Sequence, residues 1–586
     1  MSPYLTDNFA VLGKVSPTQR AAAPGLSSNG KLSRGRRIVA VGHLRNRTEL
    51  AVELGQNSSD DAALIVQAYQ RWGVGCAARL IGDWSYAAWD AEARTLVLSR
   101  DHHGNTSIYY AIDDGMLAFS SSLRQLVSLL RGRQNLDELY LAQHLVSWPG
   151  YAADRTALAQ IRRLPPAHHL IVTPDRVEAQ RYWRLEATPE MTLPRHDDYF
   201  EGFRFVFDRA VAQSLPPAGE VAATLSGGLD SGSVCATAAR SLKNDGRRLT
   251  AYTAVPAYDT APFVGSRFGD ELPLAAATAE AAGNVDLRPI DAAELTPVGA
   301  IRAMLAISPQ PQHAAGNLFW VLGLYRVAAA EGRAVLLTGQ LGNGGVSWPG
   351  SILSQPLWAQ LRQLGGKRWL RRHAARAAHG LAPKTLRRWR SPEPWARSAI
   401  APDFAERLRL RERWLDDPEA RPHLPPRTER LSIIKPGRSP AGGFHAEIGA
   451  AFGLSPVDPT ADPRVLAYCL SVPDRVFIEP ATGLDRCLIR KSMQDRLPDA
   501  VRLNRRRGRQ AGDLVPRLRA SADEVEQALD ECGQGPAADY LAIGRMRSVW
   551  QRARVEDSAD IFALATTVLM RGLMAGLFVN GIGENR

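Results

Sequence analysis

Residues 221–231 read Val-Ala-Ala-Thr-Leu-Ser-Gly-Gly-Leu-Asp-Ser, and no other stretch narrows the fold of this chain as much. Val221 to Leu225 is short, apolar and partly β-branched, the pattern of a buried strand. Gly232 to Leu242 reads as a helix. A strand that passes through a glycine turn straight into a helix opens a parallel α/β unit, and it is also the geometry of an anion cradle. Two glycines let backbone N–H groups close on phosphate oxygens, and the helix start adds partial positive charge. Ser226 and Ser231 can donate hydroxyl hydrogen bonds. Asp230 is the odd member, because an acid repels phosphate unless a cation such as Mg²⁺ bridges the two.

The surrounding pattern extends this unit. An amphipathic helix is expected at Tyr199 to Leu215, with Phe203, Val206, Phe207 and Ala210 on one face. A strand at Thr250 to Val255, helices at Glu271 to Ala282 and Leu318 to Glu331, and a strand at Ala334 to Thr338 follow. Alternating strands and helices imply a parallel sheet covered on both faces. Ligands bind at the carboxyl ends of such strands, where the glycine loops 226–228 and 342–345 both fall. Trp358 to Arg430 is expected to be irregular, with helices resuming at Ala446.

With 586 residues the chain exceeds one core. Residues 36–50 and 80–120 look β-rich, with a hairpin of Leu80–Asp90 and Thr95–Asp101 around a polar turn. Asp60 to Trp72 has helical spacing. Leu185 to His196 reads as a linker, which divides the chain into 1–190 and 191–586.

The formal charge is +12, carried mostly by arginine, so either a high-GC proteome or an anionic ligand accounts for it. Lys367 to Arg390 interleaves basic residues with Trp369 and Trp389; a docking face or plain surface is favoured over nucleic acid. The adjacent pairs His102-His103 and His168-His169 point apart in a strand, so surface or turn positions are expected. Five scattered cysteines without C-x-x-C spacing suit a reducing cytoplasm. Asp7 and Lys14 interrupt any apolar start, which argues against a signal peptide. Ile561 to Val579 is apolar around Arg571 and reads as a buried helix rather than a membrane span.

The six-residue string from Ser226 to Ser231 lacks the Walker lysine. It resembles the SGGxDS pyrophosphate loop of ATP pyrophosphatases. The N-terminal half, with L-x-G-D-x-x-Y-A-x-W-D, then Leu98, Arg100, Asp101 and Gly104, then Tyr109-Tyr110, resembles the glutaminase domain of asparagine synthetases. Arg163 to His168 and Tyr182-Trp183 resemble the end of that domain. Asp270-Glu271, Thr338-Gly339 and Leu497-Pro498 resemble the synthetase domain. The resemblance implies an α/β protein: an N-terminal β-rich Ntn-amidotransferase-like α+β domain, then a Rossmann-like PP-loop synthetase domain with a helical C-terminus.

One departure sets the expected function. The family nucleophile is an N-terminal cysteine, and here Ser2 stands in its place, without a recognisable glycine-rich substrate loop. A domain without its nucleophile supplies no ammonia, so the amine must come from the substrate. Relatives of that kind are β-lactam synthetases and lasso-peptide macrolactam synthetases. Gly342-Asn343 before Ser347-Trp348, Asp458-Pro459-Thr460-Ala461-Asp462, and Arg506-Arg507-Gly508-Arg509-Gln510 with Asp513 resemble the lasso cyclases. Such an enzyme adenylates an Asp or Glu side chain of a core peptide, whose N-terminal amine closes the ring with release of AMP and pyrophosphate. The resemblance implies ATP and Mg²⁺ bound by Ser226, Gly227, Gly228, Leu229, Asp230, Ser231, Gly339 and Gly342, with Asp230 and Asn343 on the metal. It also implies a precursor peptide, a leader peptidase and a leader-binding protein as partners, and no membrane.

Three acids of the asparagine synthetases are missing. Gln340, Asn343 and Ser455 occupy their places, and Arg507 replaces a lysine near the phosphates. Asp458, Asp462 or Glu271 are candidates to replace them. Arg486 and Arg490, four apart, either share a face toward phosphate or lie on a solvated helix. The rival readings are a small-ring amide former, a tRNA-modifying pyrophosphatase, which lacks the cysteine pair it needs, and a non-catalytic scaffold.

Overall fold

The computed structural model describes residues 10–14, 30–31 and 36–584, apart from 57–59, 91, 114–115, 131–133, 147, 149–152, 382–394 and 418–424. Ser2, Arg387, Arg388 and Trp389 therefore lie outside the described residues.

The N-terminal half stacks two sheets. The larger runs in the order 177–181, 168–172, 95–100, 82–90, 36–44 and 30–31, with antiparallel neighbours; the smaller runs 10–14, 116–120, 109–113 and 162–163. Strict alternation builds the layers. Tyr86 and Ala88 face the helix Asp61–Trp72 side, while Ala87, Leu96 and Leu98 turn inward to meet Leu117 and Phe119 of the second sheet. The hairpin forms as expected, with Asp90 opposite Thr95. The helix Asp61–Trp72 also forms, capped by the Asp60 carboxylate on Ala62 N–H.

Arg100 and Asp101 staple the loop after this hairpin. Buried Arg100 donates to the carbonyls of Gly104, Thr106 and Leu164. Asp101 accepts the N–H groups of His103, Gly104, Asn105 and Thr106. Gly104 sits at φ +83°, which a side chain resists. His102 and His103 are buried in this loop, contrary to the surface expectation, and His103 Nε2 lies 2.8 Å from the Ile434 carbonyl. His169 is likewise buried.

The second half carries a five-stranded parallel sheet in the order Val285–Ile290, Leu249–Ala254, Val221–Thr224, Val335–Leu337, Ser455–Val457. Both faces are covered. Val221, Ala223, Val335 and Leu337 pack on the helices His196–Ser214 and Leu229–Asn244, while Ala222 and Leu336 point to the helices Pro297–Ile307 and Leu318–Ala330.

Several expectations are corrected. The helix after the glycine turn starts at Leu229, not Gly232, so Asp230 and Ser231 lie in its first turn. Arg47–Leu54 is helical inside a stretch read as β; Asn46 ends the strand by bonding Arg79 and Ile81 backbone. The segment read as irregular contains Leu357–Leu364, Gly366–Leu381, Pro402–Arg407, Leu410–Asp416 and Pro426–Ile434. The two outer strands were not anticipated: each carries a proline, Pro289 and Pro456, tolerable only at a sheet edge. Ala559–Ile582 is long and apolar enough to span a membrane, yet 78% of its most apolar window is buried within the protein.

Candidate active site

Val221–Thr224 and Val335–Leu337 are neighbours, but the chain leaves them in opposite directions along the sheet. Such a reversal opens a crevice at the carboxyl ends. A cavity of about 220 Å³ lies there. Ser226, Gly228, Asp230, Ser231, Glu271, Gly339, Gln340 and Asn343 line it. Leu229 is instead buried in the core beneath, and Gly227 and Gly342 back the wall.

The cradle is tightly made. Ser231 Oγ accepts from Ser226 N–H (3.0 Å) and shares a hydrogen bond with Ser226 Oγ (2.8 Å), while Gly228 N–H donates to Ser226 Oγ (3.2 Å). Gly227 N–H donates to Glu271 Oε2 at 3.3 Å. The turn therefore already holds a carboxylate, an oxyanion of its own chain. Burial raises the Glu271 pKa above the ordinary carboxylate value, with Asp270 adding repulsion. A Cβ on Gly339 would come within 3.0 Å of the Asp230 and Ser231 backbone, and one on Gly342 within 2.1 Å of Asp230 Oδ1. These glycines let the two loops close on each other.

Asp230 is the most perturbed group in the crevice. Its Oδ2 accepts from Ser347 Oγ at 2.9 Å, and its Oδ1 is buried with no hydrogen-bond donor among the described residues. Burial, reinforced by the charge of Asp458, pushes its pKa up to about 6 against the pull of Ser347 and Arg486. Neighbouring Trp348 anchors the loop by donating to Asp474 Oδ1 at 2.6 Å.

The other candidate acids separate. Asp458 lies behind the wall, where its carboxylate accepts from Leu341 N–H (2.9 Å), Thr460 N–H (2.9 Å) and Thr460 Oγ1 (2.6 Å). It holds the 339–343 loop from behind. Asp462, a candidate acid, is placed away from the cavity: both oxygens are taken by Arg464, Arg45 Nε lies 3.8 Å away, and it caps the helix Pro463–Ser471. Burial opposes its ionisation, but Arg464 and Arg45 prevail and its pKa is lowered.

Arg507 is also corrected. It is exposed and absent from the cavity wall, whereas Arg509 lines it. The backbone decides this: Phe268 N–H donates to the Arg507 carbonyl and its own carbonyl accepts from Arg509 N–H, a bridge across Gly508, where any Cβ would strike Glu271. Arg490 is buried and spent on the carbonyls of Arg502 and Asn504, so it does not face phosphate. Trp320 and Arg509, which line the cavity, carried no periodicity or spacing that would single them out.

Residues 11–183 match the glutamine amidotransferase domain family, and residues 202–571 match the asparagine synthase family. The chain belongs to the asparagine synthase family. Within that family it is 26% identical over 215 residues to asparagine synthetase [glutamine-hydrolyzing] 3 of Bacillus subtilis, covering 36% of this chain and 35% of that one. It is 27% identical over 195 residues to amidase chyE of Penicillium rubens, covering 33% and 28%. The matches thus span about a third of those relatives' own length. A solved glutamine phosphoribosylpyrophosphate amidotransferase from B. subtilis matches 44% of this chain and 62% of that one, at 13% identity and a TM-score of 0.20. In this asparagine synthase relative, the neutral Gln340 and Asn343 stand exposed at the cavity, and Ser455 is built into the outer strand.

Proposed function

We propose that this chain is an ATP-dependent C–N ligase that activates a carboxylic acid by adenylation, and that its substrate is a peptide closed into a macrolactam. The observation that carries the reading is Asp230: a buried carboxylate oxygen without a donor, in the first turn of a helix, beside a glycine turn that already binds an oxyanion. A divalent cation and nucleotide phosphates fit that arrangement. Asp230, with Asn343 at the mouth, would hold Mg²⁺, whose charge would neutralise the phosphates.

The chain's own residues supply the rest. The 226–231 turn presents N–H and O–H donors where the pyrophosphate leaving group gains charge. Those donors now rest on Glu271 and on each other, so phosphate oxygens replace existing partners rather than fill bare positions. In balance, a carboxylate displaces pyrophosphate from ATP, and an amine then displaces AMP. An α-amine with a pKa of roughly 8 needs only a modest base. Holding amine and acyl group together recovers about 7–11 kcal/mol of encounter cost.

The macrolactam reading is supported by Ser347 and Trp348, whose motif positions brace Asp230 and Asp474. A core peptide, a leader peptidase and a leader-binding protein are the proposed partners. A reducing cytoplasm is the proposed compartment, since all five cysteines are buried and unpaired.

The test incubates the full chain with Mg·ATP, precursor peptide and leader peptidase. AMP, pyrophosphate and a product one water lighter than the cleaved core are expected. Formation of ADP, or of free asparagine, overturns the reading. The Asp230→Ala variant separates ligase from scaffold: loss of AMP formation supports catalysis, and unchanged ring closure refutes it.

A further inference from the structure

Two residues that line the same cavity each carry a buried N–H with no acceptor among the described residues. The helix Leu318–Ala330 delivers Trp320 to the wall, and its indole Nε1 is buried with no hydrogen-bond partner. The segment after Gly508 delivers Arg509, whose Nε is likewise buried and unpartnered. The two segments form one rigid surface. Asn317 Nδ2 donates to Gln510 Oε1 at 3.0 Å, and Asp513 ties the segment down by accepting from Ala257 N–H and Arg517 Nε, both at 2.8 Å.

The Arg509 guanidinium carbon lies over the Phe562 ring, 4.8 Å from its centroid, a cation–π contact that steadies the fork beside the cavity. The charge beside it is another cation, Arg267, and burial and that neighbour both lower its pKa. A guanidinium Nε–H and an indole N–H, neither with an acceptor among the described residues, form a donor set in which the charge of Arg509 favours an oxyanion over a neutral acceptor. The 226–231 turn and Asp230 line the same cavity from a different stretch of the chain. Phe319 and Trp320 give the Arg509 wall the mixed apolar and cationic character that suits an acidic side chain of a peptide rather than a polyphosphate.

We propose that Arg509 and Trp320 form an oxyanion subsite that takes the carboxylate of the acid to be activated. The assignment rests on the ligase reading for its meaning, because that carboxylate is the group ATP would adenylate. It also identifies the substrate as an anion recognised by a fork and one further donor, and so favours an Asp or Glu side chain over an amide.

The test is isothermal titration of the full chain with glutarate, as a probe carboxylate, and separately with Mg·ATP. Wild type is compared with Arg509→Gln, Arg509→Lys and Trp320→Phe, each first checked for an unchanged melting temperature. Glutarate affinity is expected to fall about tenfold in Arg509→Gln and about threefold in Trp320→Phe, with Arg509→Lys between. Mg·ATP affinity is expected to stay within about twofold of wild type. Equal glutarate affinity in wild type and Arg509→Gln, or no glutarate binding by wild type, overturns the proposal. A loss confined to Mg·ATP assigns Arg509 to nucleotide phosphate and overturns it too. If glutarate binding depends on Arg509 while wild type binds no Mg·ATP, the subsite stands and the ligase reading falls.

Discussion

Asp230 shows how one side chain is prepared by its surroundings. An unpaired carboxylate oxygen in an apolar site is costly unless something positive arrives. Replacing Asp230 with Asn keeps the shape and the Ser347 contact but removes the charge. AMP formation is expected to fall by roughly two to three orders of magnitude, the range for losing one preorganised electrostatic group; radiolabelled ATP turnover measures it. Glu271 gives a sharper test, because it occupies the cradle that phosphate would use. Glu271→Gln removes a negative charge from that wall and is expected to tighten Mg·ATP binding in a direct titration. Weaker binding would instead mean that Glu271 helps to hold the cation. At this scale the placement of Ser226, Gly228, Asp230 and Ser231 around one cavity was legible, because contiguous motif residues keep their relative geometry, and Glu271 joins them there from a separate segment. It was misleading for Asp462, whose carboxylate is consumed by an arginine from the other half of the protein and by Arg464.

Two loops and one helix start make the crevice, and each depends on a missing Cβ. Gly342→Ala would drive a methyl into the Asp230 carboxylate, and Gly508→Ala would do the same to Glu271 Oε1. Because Gly342 backs the metal candidate, its alanine variant is expected to lose turnover while melting within a few degrees of wild type; parallel thermal scans and AMP assays would show it. Loss of fold with loss of activity would make the loop a structural element first. The central elements were readable because buried strands and amphipathic helices write their environment into period 2 and period 3.6. The outer strands were hidden by Pro289 and Pro456, and the helices between 357 and 434 by a surfeit of arginine and proline. Arg507 and Arg509 are two residues apart, and only the pairing of 508 with Phe268 determines which one enters the cavity.

Across the whole molecule, the amidotransferase-like half is wired into the synthetase half. Arg45 has no exposed side-chain surface; it pairs with Asp83 at 2.8 Å, donates to Ser214 Oγ at 3.0 Å, and reaches the Asp458 carbonyl at 3.4 Å. Removing one partner of a buried ion pair typically costs about 3–5 kcal/mol. Arg45→Ala is therefore expected to lower stability by about that amount in a denaturant titration, and to loosen the loop that Asp458 supports.

Protonation adds a second test. Burial pushes His43, His102, His169 and His445 down to about 4, from an unfolded value of 6.5. Between pH 6.5 and 4 the unfolded chain takes protons that the fold refuses, so stability falls with pH. Asp83 and Asp230, raised to about 6 from 3.8, act in the opposite sense between pH 6 and 4, as do Glu271, Glu447 and Asp458, which burial also raises; His103, His144 and His168, lowered by burial, and Asp462, lowered by its arginines, add to the loss on acidification. The melting temperature at pH 5 is expected below that at pH 7; a rise would show that the buried carboxyls dominate.

Local chemistry was decided by the chain alone. A strand, a glycine turn and a helix start follow one another without a break, so the cradle could be read from eleven consecutive residues. Long-range assignment belonged to the folded protein. Which acid keeps a free oxygen, which arginine faces the crevice and which helix caps the sheet depend on partners hundreds of residues away, and burial prices a charge by the company it finds there rather than by its neighbours in sequence.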